Sequence, residues 1–368
     1  MKHKIAAIVT SLLTVFAATT VPFSAAASEK PADYTIADYT TAESFYNRVV
    51  LSKAWQQSDD RIERGEMLQL PQYMLNRMTT DALAEAVLDY PFFSDVYAFD
   101  NAQDGFDLMM EQFNGVQELA DRDDAASVLL DKYCDEEVLT DASADSDVFR
   151  LTNMEILLSQ NFVTTKFTKK EKSAFFKTVA AKMEDKIASS VYGEYTNNLM
   201  FDLTAENTKD SSIQKNMEKV RDGAYVTTPN GTRVTVIVRS TEPLTQAQIR
   251  SYDASCASAY PNAVKVRSAS GKYNCHSYAW YSTSAGNNKW MNNPKPYWND
   301  GSYHETSVIS GGRKYEFFSG NSAEHSAIVV SAYGAVTLES KWGQCGLYRH
   351  TASNCPYTYC NIRKYYCR

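Results

Sequence analysis

The chain has 368 residues and a formal net charge of −7, with 44% hydrophobic and 22% charged residues. This composition is typical of a globular protein with a sizeable core, so it excludes a small disulfide scaffold and a disordered chain. The negative charge argues against a nucleic-acid partner, since such proteins usually present a strongly basic face.

Residues 1–27 have the pattern of a signal peptide. The start is positively charged, residues 5–21 are apolar without a charge, and residues 24–27 are small, as signal peptidase requires. An uncleaved membrane anchor is the alternative, because the apolar run is close to the lower length limit for crossing a bilayer. We expect a secreted bacterial protein that makes no membrane contact once the signal is removed.

Charge divides the rest of the chain into two parts. Residues 28–222 contain 20 Lys and Arg against 37 Asp and Glu, a net charge of −17. Residues 223–368 contain 15 against 7, a net charge of +8. This shift predicts an acidic domain over residues 28–202, a polar linker over residues 203–222 and a basic domain from residue 223 onward.

The acidic part has a helical pattern. Apolar residues recur at helical spacing, and Thr168 with Glu171 forms a capping-box motif ahead of one such run. That run predicts a helix with an apolar face of Phe175, Phe176, Val179 and Met183. No histidine occurs in this part, and its scattered carboxylates are typical of solvated faces, so we expect no catalytic group here.

The basic part has an α+β pattern. Residues 225–228 and 232–238 flank the turn sequence Pro-Asn-Gly and predict a β-hairpin. Thr245 and Gln248 form a second capping-box motif ahead of a short helix. Residues 325–330 and 335–343 then predict two antiparallel strands, the first of which begins with a histidine.

The chain contains seven cysteines, and an odd number leaves at least one thiol outside intramolecular pairing. If the four near the carboxyl end form two bridges and Cys134 pairs with Cys256, then Cys275 stays free. A zinc site is the alternative, but the spacing lacks a Cys-x-x-Cys pair. We therefore expect disulfides, and neither a metal nor another cofactor. The carboxyl-terminal four are Cys345, Cys355, Cys360 and Cys367.

Cys275 lies at the predicted start of a helix, where the helix dipole favours the nucleophilic thiolate. His325 is the expected base, at the mouth of its strand. A third polar group would orient the imidazole; Glu339 is the carboxylate on the next strand, and His350 is the alternative one strand further on. The competing interpretation is that Cys275 is a structural cysteine and His325 an ordinary strand-end residue.

The segment Asn274-Cys275-His276-Ser277-Tyr278-Ala279-Trp280 and the strand beginning at His325 resemble the papain-like cell-wall hydrolases of the NlpC type and the related CHAP amidases. The resemblance covers roughly residues 272–350. It implies that a helical domain is followed by a papain-like domain, in which one catalytic helix packs on an antiparallel sheet. Cys275 and His325 are then the catalytic pair, and Glu339 takes the place of the third residue.

The resemblance further implies hydrolysis of an amide bond in peptidoglycan stem peptides. The oxyanion would be bound by the Cys275 backbone N–H, together with a donor from Tyr273 or the Asn274 side chain. A protein amide is an alternative substrate, and a non-catalytic secreted adhesion or scaffold module is the alternative from another class. The aromatic segment 290–303 either rims the cleft or packs on the core. A further hypothesis is that the acidic part docks on the basic part and covers the cleft.

Overall fold

The computed structural model describes residues 41–142, 147–194, 196 and 224–368. Thr41–Arg368 form one compact unit. The predicted signal peptide, residues 1–27, and the predicted linker, residues 203–222, lie outside the described residues. Within the described ranges, no helix combines the length and apolar character that a bilayer crossing requires.

The amino-terminal region is helical, as the sequence predicts. Its helices are Ala42–Val50 (α1), Lys53–Gln57 (α2), Arg61–Met67 (α3), Gln72–Leu75 (α4), Thr80–Leu88 (α5), Ala102–Gln112 (α6), Asn114–Asp121 (α7), Ala125–Asp135 (α8), Arg150–Leu158 (α9), Asn161–Thr164 (α10) and Lys169–Ala188 (α11), with a 3-10 helix at Phe93–Ala98.

Local capping explains where several of these helices begin. The Thr168 side chain accepts a hydrogen bond from the Glu171 backbone N–H, and the Glu171 side chain accepts one from Thr168, so the predicted capping box of α11 is confirmed. Of the predicted apolar face of α11, Phe175 and Val179 are buried, but Phe176 is largely exposed. The apolar stripe of α11 is therefore narrower than the sequence predicts.

The carboxyl-terminal region is built on a seven-stranded antiparallel sheet with the strand order β4-β10-β9-β8-β7-β11-β6. These strands are Val264–Arg267 (β4), His304–Thr306 (β6), Lys314–Ser319 (β7), Ser322–Ser331 (β8), Thr337–Lys341 (β9), Leu347–His350 (β10) and Ile362–Cys367 (β11). The α+β class is thus confirmed, with helices first and an antiparallel sheet after them.

Smaller elements complete this region. The predicted hairpin is present as Tyr225–Thr227 (β1) paired with Arg233–Thr235 (β2), and Gly231 supplies a positive φ of 91° at its turn. The second predicted capping box starts the helix Gln246–Ala259 (α12). The remaining elements are Ile237–Val238 (β3), Lys289–Trp290 (β5) and Pro296–Asn299 (α13).

Buried polar contacts join the helical region to the sheet region. Asp95 of the 3-10 helix accepts hydrogen bonds from Arg61 Nε at 3.0 Å and from the Tyr260 hydroxyl at 2.7 Å. Gly343, in the turn after β9, adopts a positive φ of 46°, and a Cβ there would lie 2.5 Å from the Ala98 backbone. The close approach of these two segments therefore requires glycine at position 343.

We predict that Asp95→Ala lowers the free energy of unfolding by about 3–5 kcal/mol, because it leaves the Arg61 guanidinium buried without a carboxylate. Asp81→Ala is the control: Asp81 is mostly exposed and its partner Lys132 keeps a second carboxylate, Glu85, so the loss should be about 0–1 kcal/mol. Urea unfolding followed by circular dichroism measures both. Equal losses of unfolding free energy in the two variants would contradict the role of Asp95 as the buried acceptor that joins Arg61 and Tyr260.

Candidate active site

Cys275 is the first residue of a short helical segment, residues 275–281, most of which is a π-helix at Ser277–Tyr281. The Asn274 side chain fixes the start of this segment. Its Oδ1 accepts hydrogen bonds from the backbone N–H groups of Ser277 at 3.2 Å and Met291 at 3.1 Å. The predicted position of Cys275 at a helix start is confirmed.

The Asn274 amide nitrogen is also fully used. It donates to Asp100 Oδ1 at 2.9 Å and to the Met291 carbonyl at 2.7 Å. An amide held by these acceptors has no hydrogen left for a substrate oxygen. The prediction that the Asn274 side chain contributes to an oxyanion hole is therefore wrong for this structure, whereas the prediction for Tyr273 stays a prediction.

The Cys275 thiol is almost completely buried, with 3% of the residue exposed. Burial raises the pKa of Cys275 well above its usual value, and the nearby charge of Asp100 raises it further. The backbone N–H groups of Ser326 and His276 lower it by a smaller amount. The sequence predicts a pKa lowered by the helix dipole, but desolvation outweighs the dipole here, so the sulfur carries its proton.

His325 lies inside β8 rather than at the mouth of the strand, because β8 already begins at Ser322. Its imidazole has no solvent exposure. One face stacks on the Tyr357 ring, with ring centroids 3.6 Å apart and an interplanar angle of 11°, and Phe317 packs beside it at 5.1 Å. Burial lowers the pKa of His325 well below its usual value, so the imidazole is neutral.

Neither ring nitrogen of His325 has a hydrogen-bond partner among the described residues. The histidines at 276 and 350 are buried as well, but both use ring nitrogens in hydrogen bonds. Buried polar atoms without partners are uncommon and need an explanation. The His325 imidazole is therefore neutral and unpartnered, and its lowered pKa makes it a weak base while it stays buried.

Cys275 lies beside strand β8, near the position of His325. The Cys275 sulfur faces the backbone N–H of Ser326, which is the residue that directly follows His325. The β8–β9 pairing begins only at Ile328 opposite Glu339, so this part of β8 is not paired to β9. The sulfur therefore lies beside β8, close to the residue after His325, but no hydrogen bond joins it to either His325 nitrogen.

Glu339 does not orient His325. Glu339 lies opposite Ile328, on the face of the sheet that packs against residues 275–281, which we name the helix face. There it accepts hydrogen bonds from the Tyr278 hydroxyl and from Arg349 Nε. Since successive side chains of a strand alternate, His325 lies on the opposite face of the sheet. The prediction of Glu339 as the third residue is wrong for this geometry.

His350 also does not contact His325. Its strand, β10, is two strands away from β8 in the sheet, which corresponds to about 10 Å. Its Nε2 lies 2.7 Å from the Ser340 hydroxyl and its Nδ1 lies 2.7 Å from the Thr351 carbonyl. His350 is thus a structural histidine, and the alternative third residue is also wrong.

Sequence reasoning missed a buried polar network on the helix face. The Ser326 hydroxyl lies 2.6 Å from His276 Nδ1 and 2.6 Å from Glu316 Oε2, and it accepts a hydrogen bond from Trp280 Nε1 at 2.9 Å. Glu316 and Ser326 are opposite each other on β7 and β8. This network joins the segment that begins with Cys275 to the strand that carries His325.

Burial shifts the pKa values of the two titratable groups in this network, His276 and Glu316. Burial lowers the pKa of His276 to about 3, so its ring is neutral, and the ring also contacts the Ala323 carbonyl. Burial raises the pKa of Glu316 well above its usual value, which favours the protonated carboxyl. Glu316 Oε2 accepts hydrogen bonds from the Ser326 hydroxyl at 2.6 Å and from Trp280 Nε1 at 3.2 Å.

Lys341 is a second polar group that the sequence did not reveal. Its buried ammonium donates to the carbonyls of Ser270 at 2.7 Å, Gly343 at 2.6 Å and Cys345 at 2.5 Å. Burial lowers the pKa of Lys341 to about 8. These three bonds hold the loop that precedes Cys275 against the turn after β9.

The seven cysteines are free thiols in this structure. Cys134 is exposed on α8, with its sulfur 3.6 Å from the Thr178 hydroxyl. Cys256 instead lies against Cys345, and both are buried. The suggested pairing of Cys134 with Cys256 is therefore wrong, because the two residues lie in different surroundings.

The aromatic segment 290–303 packs on the core. Trp290 is buried, and Trp298 and Tyr303 contact Trp280, with ring centroids 5.1 and 5.2 Å apart. Of the two possibilities left open by the sequence, the structure supports the packed loop.

No protein-family model, curated protein or solved structure matches this chain. The resemblance to NlpC-type and CHAP hydrolases therefore stands on the motifs around Cys275 and His325 alone.

We predict that Glu316→Gln changes how stability depends on pH. An unfolded glutamate ionises near pH 4.3, whereas folded Glu316 keeps its proton to a higher pH. Between these two pKa values the free energy of unfolding falls as pH rises, by up to about 1.4 kcal/mol per pH unit. Because glutamine cannot ionise, the variant should gain stability relative to the natural protein as pH rises from about 4.3 toward the raised pKa of Glu316.

Chemical denaturation across this pH range measures the effect. Glu111→Gln, at an exposed position of α6, is the control and should leave the pH profile unchanged. A constant difference between Glu316→Gln and the natural protein at all pH values would show that Glu316 is not protonated in the fold.

Proposed function

We propose that the protein is a cysteine-dependent amide hydrolase, with the Cys275 thiol as nucleophile and His325 as general base. The observation that supports this proposal best is the pair of unpartnered nitrogens on the buried His325 imidazole, next to the backbone N–H that the Cys275 sulfur faces. A purely structural histidine at such a position would be expected to use at least one of its nitrogens.

The proposed reaction follows from the two groups. His325 takes the thiol proton, the sulfur attacks the amide carbonyl, and the imidazolium then protonates the leaving amine. Water, deprotonated by His325, hydrolyses the thioester and restores the thiol. The Cys275 backbone N–H is the proposed donor to the tetrahedral oxyanion.

The buried pair favours the neutral thiol and the neutral imidazole, because the pKa of Cys275 is raised and the pKa of His325 is lowered. Both shifts arise mainly from desolvation, so water entering the site would bring the two pKa values closer together. We therefore propose that the described arrangement is a closed state, in which the thiol is not hydrogen-bonded to the imidazole, and that catalysis requires the two groups to meet as well as access of solvent and substrate.

The proposed substrate class is the peptide part of bacterial peptidoglycan, and the proposed location is outside the cell. These two proposals depend on the resemblance to NlpC-type and CHAP hydrolases, and on the signal-like residues 1–27. A papain-like architecture is proposed for the same reason, with residues 275–281 as the catalytic helix on the antiparallel sheet. The net charge of +8 in residues 223–368 suits an anionic wall.

A second candidate is a non-catalytic secreted adhesion or scaffold module with the core of a hydrolase. The observation in its favour is the burial of both Cys275 and His325, which leaves neither side chain accessible. A module of this kind would bind its target without reaction at either residue.

We predict that Cys275→Ser and His325→Ala each lower turnover of an amide substrate by about 10³-fold or more, because each removes one half of the proposed pair. Soluble peptide release from purified sacculi is the assay for the wall substrate, and ammonia or amine release from a protein is the assay for the alternative substrate. His304→Ala, at an exposed strand position, is the control and should keep full activity.

Turnover that survives both substitutions would contradict the proposed pair. Binding of sacculi without turnover, unaffected by Cys275→Ser, would instead support the non-catalytic module.

A further inference from the structure

Residues 351–361 connect β10 to β11, and we name this segment the strap. In the sheet, β9, β8 and β7 lie between β10 and β11. The strap must therefore cross these three strands, and it does so over the face to which His325 belongs. It contains no helix or strand.

Tyr357 of the strap lies directly on His325. The two rings are nearly parallel, with centroids 3.6 Å apart, and the Tyr357 hydroxyl donates to the Ala98 carbonyl in the helical region. Phe99 packs on both Tyr357 and Tyr359, at 5.6 and 5.8 Å. The Tyr357 ring therefore fills the space that a substrate would need to approach this imidazole.

The amino-terminal end of the strap is fastened to the loop around Asp59. The Thr351 hydroxyl donates to the exposed Asp59 carboxylate at 2.9 Å, and the Ser353 hydroxyl donates to the Asp59 carbonyl at 2.8 Å. The Arg61 backbone N–H donates to the Ser353 carbonyl at 2.8 Å. Further along the strap, the buried Asn354 side chain accepts a hydrogen bond from Arg64, and the Tyr359 hydroxyl donates to Glu324 at 3.3 Å, so the strap is held by buried contacts as well as by those near the surface.

We propose that the strap is an autoinhibitory cover, in which Tyr357 closes the Cys275–His325 site until the strap lifts from the helical region. This inference depends on the proposed function, since it describes the regulation of the same site.

The topology allows this motion. Both ends of the strap are held by the sheet, through the β10–β9 and β11–β7 pairings, so the strap can lift as a loop while the strands stay paired. Because residues 354–357 and 360 are buried, lifting the strap breaks buried contacts, and such sub-global openings occur in folded proteins at a higher free-energy cost than the fraying of an exposed loop. Lifting the strap removes Tyr357 from His325 and admits water to the site.

The test compares Tyr357→Ala with Tyr333→Ala. Tyr333 is 96% exposed in the turn between β8 and β9, so it is a matched change away from the site. The readout is the alkylation rate of Cys275 by iodoacetamide, followed by peptide mapping, because the buried strap cysteines Cys355 and Cys360 also become accessible. The Cys275→Ser variant lacks this thiol, so the labelled peptide that disappears in it carries the Cys275 adduct. We expect at least a tenfold faster reaction of Cys275 in Tyr357→Ala and no change in Tyr333→Ala.

A second variant changes an exposed residue instead of a core residue. Asp59→Ala removes only the exposed carboxylate that holds Thr351, and circular dichroism verifies that it folds. We expect about a three- to tenfold faster alkylation of Cys275, because the loss of one hydrogen bond shifts the opening equilibrium by about this factor.

Amide turnover, measured on the same samples, separates this proposal from the proposed function. Faster alkylation together with faster turnover supports both proposals. Faster alkylation without any turnover supports the strap as a cover and counts against the hydrolase. Unchanged alkylation in the two strap variants overturns the strap proposal, and turnover in those same samples would leave the hydrolase proposal standing.

Discussion

The alternation of neighbouring side chains along β8 is the constraint on which the candidate site depends. Ser326 faces the helix face and binds His276, Glu316 and Trp280, while His325 faces the opposite side and stacks on Tyr357. The Ser326 backbone N–H meets the Cys275 sulfur. One dipeptide therefore fixes the helical segment on one side and presents the imidazole on the other.

The polar groups around this dipeptide are arranged so that little charge is buried. Glu316, the Ser326 hydroxyl and a neutral His276 form one chain of hydrogen bonds, and Trp342, Ser340 and His350 form a similar group nearby. Most polar atoms of these two groups have a neighbour, although Glu316 Oε1 has no hydrogen-bond partner among the described residues. His325 differs from His276 and His350 in that neither of its ring nitrogens has such a partner.

Local rules predicted much of the fold. The two capping boxes, the hairpin with Gly231 and the helix start at Cys275 depend on residues within a few positions of each other, and all are present. The α+β class followed from the change in hydrophobic pattern. These features need no knowledge of how distant segments meet.

The surroundings of the candidate site could not be predicted in the same way. Glu339 looked suitable by strand order, but the strand register places it on the wrong face. Glu316 resembles a solvated carboxylate in the sequence, and only its pairing with Ser326 shows that it is buried. Tyr357 meets His325 because the strap crosses the sheet, which no short-range pattern encodes.

The candidate site is closed to solvent, because both Cys275 and His325 are buried. Desolvation keeps the proton on the sulfur while the site is covered, so the same burial that stabilises the fold also suppresses reactivity. Under the proposed function, activity would require a change in the exposure of Cys275 and His325.

The most direct measurement is acid quench of the chain during turnover of an activated acyl substrate, followed by mass spectrometry of the cysteine peptides. We predict that a thioester forms on Cys275 and that the His325→Ala variant forms it at a much lower rate. An acyl group on any other cysteine, or an equal rate without the imidazole, would contradict it.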